Sequence, residues 1–165
     1  MQQRIEQAIA RRGPLTDVSD AMRVVNGAGD GLPGIEIDRY GRHAVCSLHD
    51  DMTAQRDAVL SAIWATDAFD GVYLKLRPKR ANTLVDTRRE EVAPPEPVRG
   101  TAAPTPLLIH EHGVGYWARL GDGLSTGIFL DQRHGRQLLA ERSGGKSVLN
   151  LFCYHAAFTV AAIAG

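Results

Sequence analysis

Apolar residues at Ile5, Ala8 and Ile9 recur at helical spacing, and Gly13-Pro14 closes that short helix. Residues 23–26 read as a strand, followed by the turn chemistry of GAGDGLPG at 27–34. Ile35 and Ile37 then alternate with Glu36 and Asp38, a second strand. A turn at 39–42 and a third strand at 44–48 complete an antiparallel meander. Val59, Leu60 and Ile63 give residues 53–64 an amphipathic helical pattern, with Thr53 placed to cap it and Arg56 and Asp57 in its first turn. Residues 71–76 alternate as a strand. The charged, proline-rich stretch 88–106 reads as an exposed connector. A hairpin around Gly113, from strands at 107–112 and 114–120, comes next. Residues 132–142 form a helix that Ser143-Gly144-Gly145 ends. Residues 148–152 form a short strand apolar on both faces, and residues 158–163 start an apolar helix. The change from half-exposed strands to a doubly apolar one is what a parallel α/β sheet requires.

Composition changes this picture little. The chain has 165 residues, 44% hydrophobic and 23% charged, a globular balance. Lys and Arg number 19 against 19 Asp and Glu, so the net charge does not announce a nucleic-acid binder. Cys46 and Cys153 form no disulfide framework and fit a reducing, cytoplasmic setting. No apolar run approaches the roughly 18 residues of a membrane span, and residues 1–13 do not read as an export signal.

Gly29-Asp30-Gly31-Leu32-Pro33-Gly34 matches G-x-G-x-x-G, but a strand follows where a dinucleotide site needs a helix N-terminus. It reads as a tight connection between strands. His110 and His112, two apart on a strand, would share a face, but no third metal ligand accompanies them. Cys46 reads as core, and Cys153 as a small apolar side chain packed near a strand end. Lys75, Arg77, Lys79 and Arg80 form the clearest basic cluster. On a strand the first three project from one face, a stripe suited to RNA phosphates or to guarding a solvated edge, with Tyr73 there to stack on a base.

Four segments in order carry a resemblance: NGAGDGLPGIEIDRYG (26–41), GVYLKLRPK (71–79), TGIFLDQR (126–133) and SVLNLFCY (147–154). Together they resemble the class I S-adenosylmethionine-dependent ribosomal RNA large-subunit (cytosine-5) methyltransferases. The resemblance implies an α+β central domain, an antiparallel-rich mixed sheet with helices, followed by the first strand-helix unit of an α/β Rossmann-like methyltransferase domain. The implied organisation is a helical lead-in at 1–22, a central domain at 23–120 and the opening of the methyltransferase domain at 121–165. It implies S-adenosyl-L-methionine as cofactor, with Thr126, Phe129, Asp131, Gln132, Arg133, Asn150, Phe152, Tyr154 and Ala156 against it. Asp131 would take the ammonium and Arg133 the carboxylate. The plainer alternative is that Asp131 and Gln132 cap the following helix.

The family's small glycine-containing turn after the tyrosine is His155-Ala156 here, which adds bulk near the methionine site. Its catalytic cysteine falls downstream of the segment ending at Gly165, so the expectation is a truncated chain, inactive alone. Ribosomal RNA is the implied partner, through Lys75, Arg77, Lys79 and Arg80. The unfinished C-terminal unit implies poor packing of the last 20 or so residues or completion by another chain, such as a homodimer partner. Two other functions fit the same segments: a non-catalytic RNA-binding module, or a relative that methylates another RNA position.

Overall fold

In the computed structural model, residues 1–77 and 89–165 are described. Helix α1 (Gln2–Arg11) and a 3-10 turn at Gly13–Asp17 lead into β1 (Ala21–Asn26), β2 (Ile35–Tyr40) and β3 (His43–His49). Helix α2 (Arg56–Trp64) precedes β4 (Gly71–Arg77), and the two-residue β5 (Arg99–Gly100) follows. The hairpin β6 (Leu107–Glu111) and β7 (Val114–Ala118), then α3 (Arg133–Ser143) and α4 (Ala157–Ala164), complete the order.

The main sheet runs β1-β2-β3-β4-β5. The meander is antiparallel as its alternation predicts, but β4 joins β3 in parallel, with Ser47 opposite Lys75 and His49 opposite Arg77. The α2 crossover makes that possible. Thr53 lies in a 3-10 turn at Asp50–Gln55, and α2 begins without a side-chain cap.

These strands are less exposed than their alternation suggests, because both sheet faces are covered. On one face Ile35, Ile37, Cys46, Leu48, Val72 and Leu74 pack with Ile5 and Ala8 of α1 and Val59, Leu60 and Ile63 of α2. The helical lead-in therefore shares the core of the sheet. On the other face Ala21, Tyr40, Val45 and Tyr73 pack with Ile109, Tyr116 and Ala118 of the hairpin and with Ile128. Tyr73 is thus core, its hydroxyl accepting from the Ala103 amide at 3.0 Å, and offers no stacking surface. Ala93 and Ala103 are buried too, so the connector is anchored along its length.

The Gly27–Asp30 loop is a strand connection. Asp30 accepts from Arg12 at 2.7 and 2.8 Å, from Arg11 at 2.8 Å and from the Asn26 amide at 2.6 Å. Burial works to raise its carboxyl pKa, but the Arg12 pair and the amide outweigh it and hold it below the usual carboxylate value. Gly34, at φ 77°, leaves no room for a side chain, since a Cβ would sit 2.6 Å from Met52 Cγ. The hollow beside this loop is lined by Glu36 and Asp51, carboxylates that repel a phosphate.

Residues 148–152 depart from expectation: they form no strand. Among the described residues no strand pairs with them, and an unpaired extended segment gains no ladder bonds. Leu149 is 82% exposed, and Leu151 and Phe152 also face solvent. The α3–α4 packing is held by Ser143 Oγ donating to the Ala162 carbonyl at 3.0 Å.

Candidate functional site

The apolar end of the second sheet face is covered by the hairpin. Its other end is polar, and a cleft of about 1040 Å³ opens there. One wall is the sheet, carrying Arg23, Glu36, Asp38, His49, Lys75 and Arg77. The opposite wall is the segment after the hairpin, with Ser125, Thr126, Phe129, Asp131, Arg133 and Tyr154. Five of the nine cofactor residues expected from the sequence, Thr126, Phe129, Asp131, Arg133 and Tyr154, therefore line one cleft.

Several features set this wall. Gly127 takes φ 99°, and a Cβ there would lie 3.3 Å from the Trp117 carbonyl, so the turn at the head of TGIFLDQR needs glycine. The Tyr40 hydroxyl hydrogen-bonds Thr126 Oγ1 at 2.7 Å, and burial raises the Tyr40 pKa far above its ordinary value, keeping it protonated. Ser125 Oγ hydrogen-bonds the Tyr154 hydroxyl. The Tyr154 ring lies 5.1 Å from that of Phe129 and 4.1 Å from that of His155.

Behind the wall, Arg136 of α3 is 2% exposed and pairs with Glu111 of β6 through bonds of 2.8 and 2.7 Å. Its Nη1 donates to the Phe129 carbonyl at 2.8 Å, which fixes the segment that carries the aromatic ring. This pair went unread in the sequence, although Glu111 falls on the same strand face as Ile109. A carboxylate on an apolar face is the signature of a buried partner.

The other cofactor candidates lie elsewhere. Asn150 Nδ2 donates to Thr159 Oγ1 at 2.8 Å, holding the chain's own loop together. Phe152 is fully exposed. Gln132 is exposed, and α3 begins after it at Arg133 without a side-chain cap, which removes the plain capping role for Asp131 and Gln132. Ala156 sits at φ 59°, the left-handed region where glycine is favoured, so its departure from glycine carries a conformational cost. Cys153 is exposed rather than packed. His112 is in the hairpin turn at φ 50° while His110 pairs with Asp20, so the two do not form a metal pair.

The basic stripe is also corrected. Lys75 is 1% exposed, its Nζ donating to the Ser125 carbonyl at 3.2 Å. Arg77 is half-buried and donates to Ser47 Oγ at 3.3 Å and to the Leu124 carbonyl at 3.4 Å. The loop 124–126 covers what the alternation left open to solvent. Lys79 and Arg80 lie outside the described residues.

A family model described as S-adenosylmethionine-dependent methyltransferase matches residues 83–165. The chain belongs to that family. It is also similar to YwbD of Bacillus subtilis (strain 168), assigned as a ribosomal RNA large subunit methyltransferase, at 35% identity over 98% of this chain and 40% of the relative. Ribosomal RNA large subunit methyltransferase I of Escherichia coli O9:H4 (strain HS) is 34% identical over 98% of this chain and 40% of its own length. Among solved structures, a protein from Streptococcus mutans assigned as a SAM-dependent methyltransferase superposes with a TM-score of 0.85 at 34% identity. That match covers 99% of this chain and 41% of the other. A second, assigned as a methyltransferase and solved in complex with SAH, gives 0.84 at 34% identity, covering 99% of this chain and 41% of that one. The chain thus spans about 40% of the length of the curated relatives it matches.

Proposed function

We propose that this chain contributes to an S-adenosyl-L-methionine-dependent methyltransferase acting on ribosomal RNA of the large subunit, at cytosine C5, in the cytoplasm. The observation that carries the reading is the convergence of Thr126, Phe129, Asp131, Arg133 and Tyr154 on one cleft wall. Their chemistry fits the amino-acid end of the cofactor. A carboxylate suits its ammonium, a guanidinium its carboxylate, and the Phe129 and Tyr154 rings its sulfonium. When bound, the cofactor supplies an electrophilic methyl group. The chain's own residues hold and orient it, and the two walls limit water.

Methylation at C5 calls for a thiolate that adds to C6 of the base. Neither cysteine here suits that step. Burial pushes the Cys46 thiol up to about 12, sealed in the core. Cys153 is exposed and is not part of the cleft lining. We therefore assign the 165 residues cofactor and RNA positioning without methyl transfer of their own. Arg77, Lys79 and Arg80 remain the proposed cations for RNA phosphates. Calorimetry with S-adenosyl-L-methionine tests the reading. Saturable binding that Asp131→Ala removes is expected. RNA binding without cofactor binding would instead make the chain an RNA-binding module.

A further inference from the structure

Lys75 is a cleft residue that the proposed function does not use. A lysine 1% exposed in mid-strand is rare unless something holds it. Among the described residues no carboxylate stands within ion-pair distance of it, and its hydrogen bond goes to the Ser125 carbonyl at 3.2 Å. With its chain sealed from solvent, it does not meet RNA phosphate as a surface cation would. Two neighbours act alike. The Tyr40 hydroxyl reaches Thr126 Oγ1 at 2.7 Å, and Arg77 Nη2 donates to the Leu124 carbonyl at 3.4 Å. Residues 124, 125 and 126 are thus each gripped by a side chain from the sheet. Ser125 passes the grip on, since its Oγ bonds the Tyr154 hydroxyl and accepts from the Gly127 amide at 3.3 Å.

We propose that Lys75 is a positioning residue, which by holding the Ser125 carbonyl sets the loop 124–126 so that Ser125 meets Tyr154 on the cofactor side of the cleft. This rests on the reading of that side as the cofactor wall. Stability does not explain the charge, because exchanging a buried ion for an apolar side chain of like size is often neutral or stabilising. The groups sharing the cleft wall with Lys75 are Arg77 on its own strand, Glu36, Asp38 and Tyr40 on β2, Arg23 on β1 and His49 on β3, with Asp122 after the hairpin. Asp131, Arg133, His134 and Tyr154 stand on the far wall. Burial, then the Arg77 charge, pushes Lys75 down to about 8, against the pull of Asp122 and Asp38.

A charged donor makes the stronger bond, so the clasp weakens as pH rises through about 8. Global stability moves the opposite way. The unfolded chain keeps this proton up to the ordinary lysine value of 10.5, so between about 8 and 10.5 it binds more protons than the folded chain. Stability then rises with pH over that window. A merely structural lysine would not give affinity and stability opposite slopes.

The test follows the Lys75 side-chain carbon and the Ser125 carbonyl carbon by carbon-detected NMR from about pH 6.5 to 10, beside calorimetry with S-adenosylhomocysteine. Both carbons are expected to titrate together near pH 8, and affinity to fall about tenfold, the worth of one charged hydrogen bond, between the two limits. Lys75→Met should lose about tenfold in affinity at neutral pH, show no pH slope and melt no lower than the parent. Lys75→Arg should restore affinity at both limits. A Ser125 carbon that ignores Lys75, or parental affinity in Lys75→Met, overturns the proposal. Absence of ligand binding at every pH overturns the cofactor reading itself, and is recognised by a Ser125 carbon that still follows Lys75.

Discussion

Ile37 and Leu149 both belong to segments that the sequence reads as strands, the first alternating and the second apolar on both faces. Ile37 is fully buried, with strands on either side and helices over its face, whereas Leu149 is 82% exposed in a segment that forms no strand. The difference lies in the partners. β2 has β1 and β3 to take its amides and carbonyls, and residues 148–152 have no strand beside them among the described residues. Apolar character supplies the drive to bury, but a strand also needs a ladder. The sheet half closes its own core; the C-terminal stretch presents an unfilled one.

The comparison can be broken first at the Arg136–Glu111 pair, which ties α3 of the C-terminal half to the hairpin that covers the sheet. Arg136→Met should cost about 3–5 kcal/mol in urea denaturation, because it strands a buried carboxylate. Replacing both partners by apolar residues should recover most of that loss. Ile37→Ala should cost about 3 kcal/mol by the same measurement, while Phe152→Ala should change stability by less than about 0.5 kcal/mol. Similar costs would mean the C-terminal stretch is packed after all. Ala156→Gly, at φ 59°, should gain about 1 kcal/mol, read as a rise in melting temperature. Thiol labelling gives the smallest perturbation. Cys153 should react at once, and Cys46 only on unfolding.

Much of the fold was legible where alternation and turn chemistry agree. The meander and the hairpin at Gly113 follow from strand patterns separated by turn residues, and the rejection of the glycine-rich loop as a phosphate site follows from the strands flanking Gly27–Asp30. The cleft wall was legible through TGIFLDQR, which brings Thr126, Phe129, Asp131 and Arg133 together. Lys75 was not. Period-two alternation assigns a side chain to a face but does not say what covers that face, and here the loop 124–126 covers it. Asn150 and Phe152 were misplaced for the reason that separates Leu149 from Ile37: without a neighbouring strand their segment does not carry them to the cleft.

The most direct measurement of the central claim is chemical-shift mapping of the 165-residue chain on adding S-adenosylhomocysteine. The account predicts shifts concentrated at Thr126, Phe129, Asp131, Arg133 and Tyr154, with the Gly27–Asp30 loop silent. Shifts centred on that loop, or none along the cleft wall at saturating ligand, would contradict it.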